Sequence, residues 1–123
     1  MIRLLRFVLI VFYFLAGCYH FVNPNFYLGL IPDYLPYPSF INYVSGGLEI
    51  VLAIGVAYPK TRLLAVKGIL LLLIAFIPSH LYFIQVGSCV DTTFCVSPWV
   101  AWIRLLIIHP LFMLWAWSVR KTP

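Results

Sequence analysis

Four stretches of the chain, about Leu4–His20, Phe40–Tyr58, Leu63–Phe83 and Trp99–Val119, are apolar on every face. Each is close to the roughly 20 residues that a bilayer-spanning helix needs. A water-facing globule of 123 residues has no place to hide four such runs. Charged residues make up 9% of the chain, against roughly 25% in an ordinary soluble domain, so there is too little polar surface to clothe one. A hydrophobic share of 64% equally excludes a disordered chain. The runs are continuous rather than alternating, which selects helices over a barrel. The expected fold is all-α: residues 1–123 form a single membrane domain, a four-helix transmembrane bundle. The breaks agree. Asn23-Pro24-Asn25 ends the first span, Pro59-Lys60-Thr61-Arg62 makes a tight turn, and Gly87-Ser88 closes the third span.

The cations orient the bundle. Arg3 and Arg6 precede the first span, Lys60, Arg62 and Lys67 flank the second turn, and Arg120 and Lys121 follow the fourth span. The other two loops hold Asp33 and Asp91 and no Lys or Arg. The positive-inside rule then places both termini and the Pro59–Arg62 turn in the cytoplasm, as expected of a multi-pass protein of a bacterial inner membrane. Tyr34, Tyr37, Trp99 and Trp102 cluster near the outer boundary as an aromatic belt. The net charge of +5 comes with no basic stripe or stacking platform, so no nucleic-acid partner is expected. Arg3, Arg6 and the run ending Leu15-Ala16-Gly17-Cys18 also resemble a lipoprotein signal. The apolar run continues past Cys18 through Tyr19, Phe21 and Val22, and the segment is read as a retained span.

Between the first two spans, Asn23 can cap a short helix with Pro24 at its first position. Pro32, Pro36 and Pro38 then forbid a long helix. Two forms suit this proline-rich segment: an interfacial stretch lying over the bundle mouth, or a tight, stiffened connection.

This loop also carries a resemblance. Tyr19-His20-Phe21-Val22-Asn23-Pro24-Asn25-Phe26-Tyr27, Ile31-Pro32 and Tyr34-Leu35-Pro36 resemble the start of the DoxX-like family of small four-helix integral membrane proteins. Ser45-Gly46-Gly47-Leu48-Glu49, Pro59-Lys60-Thr61-Arg62-Leu63-Leu64-Ala65 and Trp102-Ile103-Arg104-Leu105 extend the likeness over most of the chain. The resemblance implies the four-helix fold. It also implies one of several roles: quinone-dependent sulfur oxidation, disulfide-linked maturation of other proteins, or chaperoning of membrane receptors. The chain departs from the pattern at Pro78-Ser79-His80, where relatives often read Pro-Ala-Asn, and in the insert Cys89–Cys95.

Polar groups inside an apolar bundle are costly and mark candidate sites. Asn42, Ser45, Glu49, Ala53 and Ala57 recur at helical spacing on one face of the second span. Glu49 and Arg104 are expected to approach each other as a buried pair, serving either as a register-fixing ion pair or as part of a ligand or proton site. His20 and His80 lie near the outer ends of spans one and three, and Tyr13, Gly17 and His20 share a face. The candidate ligand or partner pocket is therefore His20, Ser45, Glu49, His80 and Arg104. His109 is five residues from Arg104, about 140° around an α-helix, and is expected to face elsewhere. Three histidines without a carboxylate in register make neither a metal motif nor a haem pair, so no metal site is expected.

Cys89 and Cys95 lie six residues apart in a loop placed outside by charge, which favours a structural disulfide. The alternative is a relay in which Cys18 attacks that bond. No catalytic residue set emerges. The leading expectation is non-enzymatic: an accessory or assembly subunit docking a membrane partner or lipid-like molecule in its outer-half pocket, within the bilayer and in a larger complex or homo-oligomer. The runner-up is a redox-associated protein that handles a quinone, the one cofactor the residues suggest, or relays disulfides.

Overall fold

Helices that are apolar around their whole circumference need lipid outside and close packing inside. The computed structural model, which describes residues 1–90 and 94–121, meets both needs with four helical spans. They cover Ile2–Val22, Pro38–Ala57, Arg62–Gln85 and Pro98–Ser118, each boundary within two residues of its place in the sequence reading. All four are long and apolar enough to cross a membrane, the architecture of a multi-pass membrane protein. Large side chains such as Phe7, Leu15, Val51, Leu64, Leu71, Leu106 and Leu114 point outward from the bundle, where lipid replaces a protein partner.

The first span is one unbroken helix, α1 (Ile2–Val22), which runs straight through Cys18. A short helix α2 (Pro24–Leu28) follows, then α3 (Pro38–Ala57) as the second span. Asn23 holds the N-cap position of α2, yet its side chain donates to the Tyr19 hydroxyl (3.0 Å) instead of capping. The third span is broken into α4 (Arg62–Ala75) and α5 (Ile77–Gln85). Pro78 has no N–H for the Ile74 carbonyl, so the ladder fails there, and Phe76 N–H bonds back to Leu72 and Leu73 O. The fourth span comprises α6 (Pro98–Ile103), a π-helical turn (Arg104–Ile108) and α7 (His109–Ser118). Pro110 cannot bond the Leu106 carbonyl, and the turn before it widens so that His109 N–H reaches back five residues to Arg104 O.

In the bundle α1 packs along α3, α3 along α4, and α4 along α7, which closes against α1. The α1–α3 crossing depends on two glycines: a Cβ on Gly46 would lie 2.5 Å from His20 Cβ, and one on Gly17 2.6 Å from the Gly46 carbonyl oxygen. A core of Leu9, Tyr13, Ala53, Val56, Val66, Ile69, Leu73, Ala116 and Val119 fills the half of the bundle nearer the basic residues. At that basic end side chains donate to backbone carbonyls near the helix termini. Arg62 Nε donates to Val56 O (2.9 Å), Thr61 Oγ1 to Gly55 O (2.8 Å), and Arg6 Nη2 to Lys121 O (2.6 Å).

The opposite end carries α2, the Gly29–Tyr37 segment and a two-stranded antiparallel hairpin, β1 (Cys89–Val90) and β2 (Phe94–Cys95). A Schellman turn leads into the hairpin, with Ser88 N–H on Phe83 O, Gly87 N–H on Ile84 O, and Gly87 at φ +86°. A disulfide joins Cys89 to Cys95, and Cys18 is a free thiol, half-buried in α1. Leu30, Ile31, Tyr34 and Leu35 of the proline-rich segment lie against the bundle mouth, as in the first of the two forms that suit the sequence. Asp91, between the two hairpin strands, lies outside the described residues.

Candidate functional site

The break at Phe76 hollows out the hairpin half of the bundle. Before it, α4 packs on α3; after it, α5 packs on α6 and the π turn, so α3 and α5 part company. A cavity of about 440 Å³ occupies the gap, roofed by Leu30, Ile31, Tyr34 and Leu35. Its walls are mostly apolar, and its volume lies in the roughly 300–1,000 Å³ range of small-ligand sites. His20, Ser45, Glu49, His80 and Arg104, the five pocket residues singled out in the sequence, all line it.

One polar cluster joins α1 to α3. Asn42 Nδ2 donates to the His20 carbonyl (3.0 Å), so its Oδ1 is the acceptor for His20 Nδ1–H at 2.7 Å. That tautomer leaves His20 Nε2 as a lone pair facing Glu49 Oε2 at 3.6 Å, too far for a hydrogen bond. Glu49 Oε2 is buried and has no hydrogen-bond partner. Tyr27 from α2 stacks flat on the imidazole, with ring centroids 3.6 Å apart and 11° between planes. Its hydroxyl approaches the Ala16 carbonyl at 3.4 Å, and burial pushes its pKa up to about 12. The phenol therefore stays neutral and acts as a donor.

The second cluster joins the third and fourth spans. Arg104 Nη2 donates to His80 Nδ1 at 3.3 Å, which fixes the His80 proton on Nε2. The guanidinium also faces the rings of Phe83 (5.3 Å) and Phe94 (5.4 Å), the latter held in place by the hairpin. Phe94 in turn meets Phe26 of α2, and a Cβ on Gly29 would overlap Val90, so hairpin and loop form one roof. His109 Nε2–H donates to the Leu73 carbonyl (2.8 Å) at the α4–α5 break.

Two expectations are corrected by this geometry. Glu49 and Arg104 do not form a direct ion pair: among the described residues His20 is the one basic side chain within 4 Å of the Glu49 carboxylate, and Arg104 rests on His80 and two aromatic faces. Both border the same cavity without pairing. His109 does not face elsewhere but meets His80 edge-to-face, ring centroids 4.7 Å apart. The 140° estimate assumed 3.6 residues per turn, and the π turn between Arg104 and His109 changes that angle. His109 lines a second cavity, of about 200 Å³, which shares Glu49, His80 and Arg104 with the first. The sequence face of the second span is also shifted: Gly46 and Val56 are buried where Ser45 borders the cavity and Ala57 is exposed.

Sequence reasoning missed Tyr27, Phe83 and Phe94 as parts of the site. Only a tertiary meeting of loop, hairpin and helix reveals them. Asn42 was legible, two helical turns before Glu49 on one face. Among the described residues no group of three metal-ligating side chains converges.

With the geometry in hand, comparison with known proteins adds one finding. Residues 9–120 match the model of a family described as a domain of unknown function, DUF8561. No curated protein matches the chain significantly. Nor does any solved structure.

Proposed function

For this chain, which belongs to the DUF8561 family, we propose a non-enzymatic role: a membrane accessory subunit that holds a lipid-like molecule in the cavity under its roof. The observation that carries the reading is a mostly apolar 440 Å³ cavity lined also by polar side chains, among them Glu49 with an unpartnered buried oxygen. Such a site gives a small amphiphile room for its apolar part and fixed partners for its head. The two clusters use their own hydrogen bonds to hold the side chains in place, as a binding site requires. The basic end is assigned to the cytoplasm by the positive-inside rule, which puts the cavity in the outer half of a bacterial inner membrane. The resemblance to DoxX-like proteins supports the same scale of function, a small bundle serving a larger membrane complex or a homo-oligomer.

The runner-up, quinone handling, draws on the two imidazoles His20 and His80, which line the same cavity and could address opposite sides of a ring. Both readings meet in one experiment. The protein is purified in a mild detergent, extracted with organic solvent, and the extract analysed by mass spectrometry beside that of Ser45→Phe, which fills the cavity. A stoichiometric amphiphile present in the parent and lost from Ser45→Phe supports the proposal. A stoichiometric quinone instead favours the redox reading. Extracts identical to bulk lipid in both proteins would remove the cavity-ligand reading altogether.

A further inference from the structure

The two clusters that line the cavity lack opposite things. Glu49 borders the cavity with a side chain 8% exposed, and its Oε2 is buried with no hydrogen-bond partner. Facing that oxygen is the Nε2 lone pair of His20, fixed there because Asn42 takes the Nδ1 proton. With Glu49 ionised, two acceptors therefore face each other 3.6 Å apart and neither brings a donor. A hydroxyl supplies one hydrogen; an ammonium supplies three and a compensating charge. Arg104 has the converse need. Its fork carries only donors, one is given to His80, and no carboxylate lies within 4 Å among the described residues. A guanidinium in that state suits a phosphate.

Both groups border the same cavity without pairing with each other. The complement to such a site is a head bearing a cation at one end and an anion at the other. The gap between α3 and α5 also says where such a head comes from. Leu48 is 45% exposed at its edge, and Ala75 and Pro78 are exposed on the other side, so the cavity opens sideways toward lipid. From these observations we infer that the ligand is a zwitterionic aminophospholipid. Its ammonium lies at the cavity wall beside Glu49 and His20, its phosphate on Arg104, and its chains leave through the α3–α5 gap. The inference rests on the lipid-ligand reading above and specifies the head that the cavity selects.

The test uses the intact protein in phosphatidylcholine nanodiscs and a phosphatidylethanolamine labelled on its acyl chain. Unlabelled phosphatidylethanolamine should displace the probe at least about tenfold better than phosphatidylcholine, whose nitrogen has no N–H, or phosphatidylglycerol, which has no amine. Tail-free glycerophosphoethanolamine should compete poorly. Glu49→Gln should erase the preference for the amine, and Arg104→Met should weaken all the phospholipids together. If neither variant folds, the headgroup series on the parent protein decides alone. Equal displacement by all three phospholipids would overturn the headgroup assignment and leave a lipid-like ligand standing. Displacement only by some other extracted amphiphile would do the same, and displacement by the soluble head as well as by the lipid would remove the lipid as its source. A protein that binds no amphiphile at all would overturn this inference and the proposed function together.

Discussion

An imidazole that donates from Nδ1 has only a lone pair to offer from Nε2, and a carboxylate offers only lone pairs as well. His20 and Glu49 are held in that relation at 3.6 Å, so the pair is satisfied by one proton shared between them or by a ligand donor placed beside both. Arg104 belongs to a different set, with His80, Phe83 and Phe94. Double-mutant cycles on unfolding in detergent should therefore show coupling within sets rather than between them. His20→Ala with Glu49→Gln is expected to couple by about 0.5–3 kcal/mol. Glu49→Gln with Arg104→Met is expected to be the more nearly additive of the two cycles. A larger coupling between Glu49 and Arg104 than between His20 and Glu49 would show that the charges act as one pair. At this scale the sequence revealed which residues converge, because polar groups in an apolar bundle have few other places to go. It could not reveal who bonds whom. That depends on two charges that border one cavity without pairing and on a tautomer set by Asn42.

Elements of this bundle were legible wherever ordinary helical periodicity applies and illegible where proline suspends it. Tyr13, Gly17 and His20 do share the buried face of α1, as a 3.6-residue period requires. His109 escaped the same arithmetic because Pro110 forces a π turn, and Pro78 splits the third span so that α5 leans away from α3. The cavity exists because of that second break. How closely α1 and α3 approach is likewise an element-level property, and two neighbouring glycines test it. Gly46→Ala would drive a Cβ to 2.5 Å from His20 Cβ and 2.9 Å from the Gly17 carbonyl oxygen, so the helices must separate at an overpacking cost of about 1–3 kcal/mol. Gly47 has nothing within 4 Å of such a Cβ. There the same change should be neutral or stabilise by up to about 1 kcal/mol, through reduced backbone freedom in the unfolded chain. Unfolding midpoints of the two variants, measured side by side, should move apart. Equal shifts would mean that the α1–α3 distance is not set by glycine.

For the whole molecule, two physically independent features point to the same orientation. The cations gather at the end with Arg6, Arg62 and Lys121, and under the proposed orientation, which follows the positive-inside rule, that end faces the cytoplasm. The Cys89–Cys95 disulfide closes the hairpin at the other end, and such bonds persist on the oxidising side of a membrane. Neither feature depends on the other, since one is a count of loop charges and the other a covalent bond. Single cysteines introduced into a Cys18→Ser background can decide between the two orientations in intact cells. Asp33→Cys, on the exposed segment at the hairpin end, should react with a membrane-impermeant thiol reagent. Lys60→Cys, in the exposed turn between α3 and α4, should react only after the membrane is permeabilised. Mass analysis of the same unreduced protein should find Cys89 and Cys95 still joined and an unmodified thiol at position 18 in the parent. The reverse labelling pattern would turn the cavity toward the cytoplasm and place the disulfide in a reducing compartment. A diacylglyceryl group on Cys18 would instead make α1 a processed signal, not a span, and the α1–α3 crossing that holds His20 beside Glu49 would have to be abandoned.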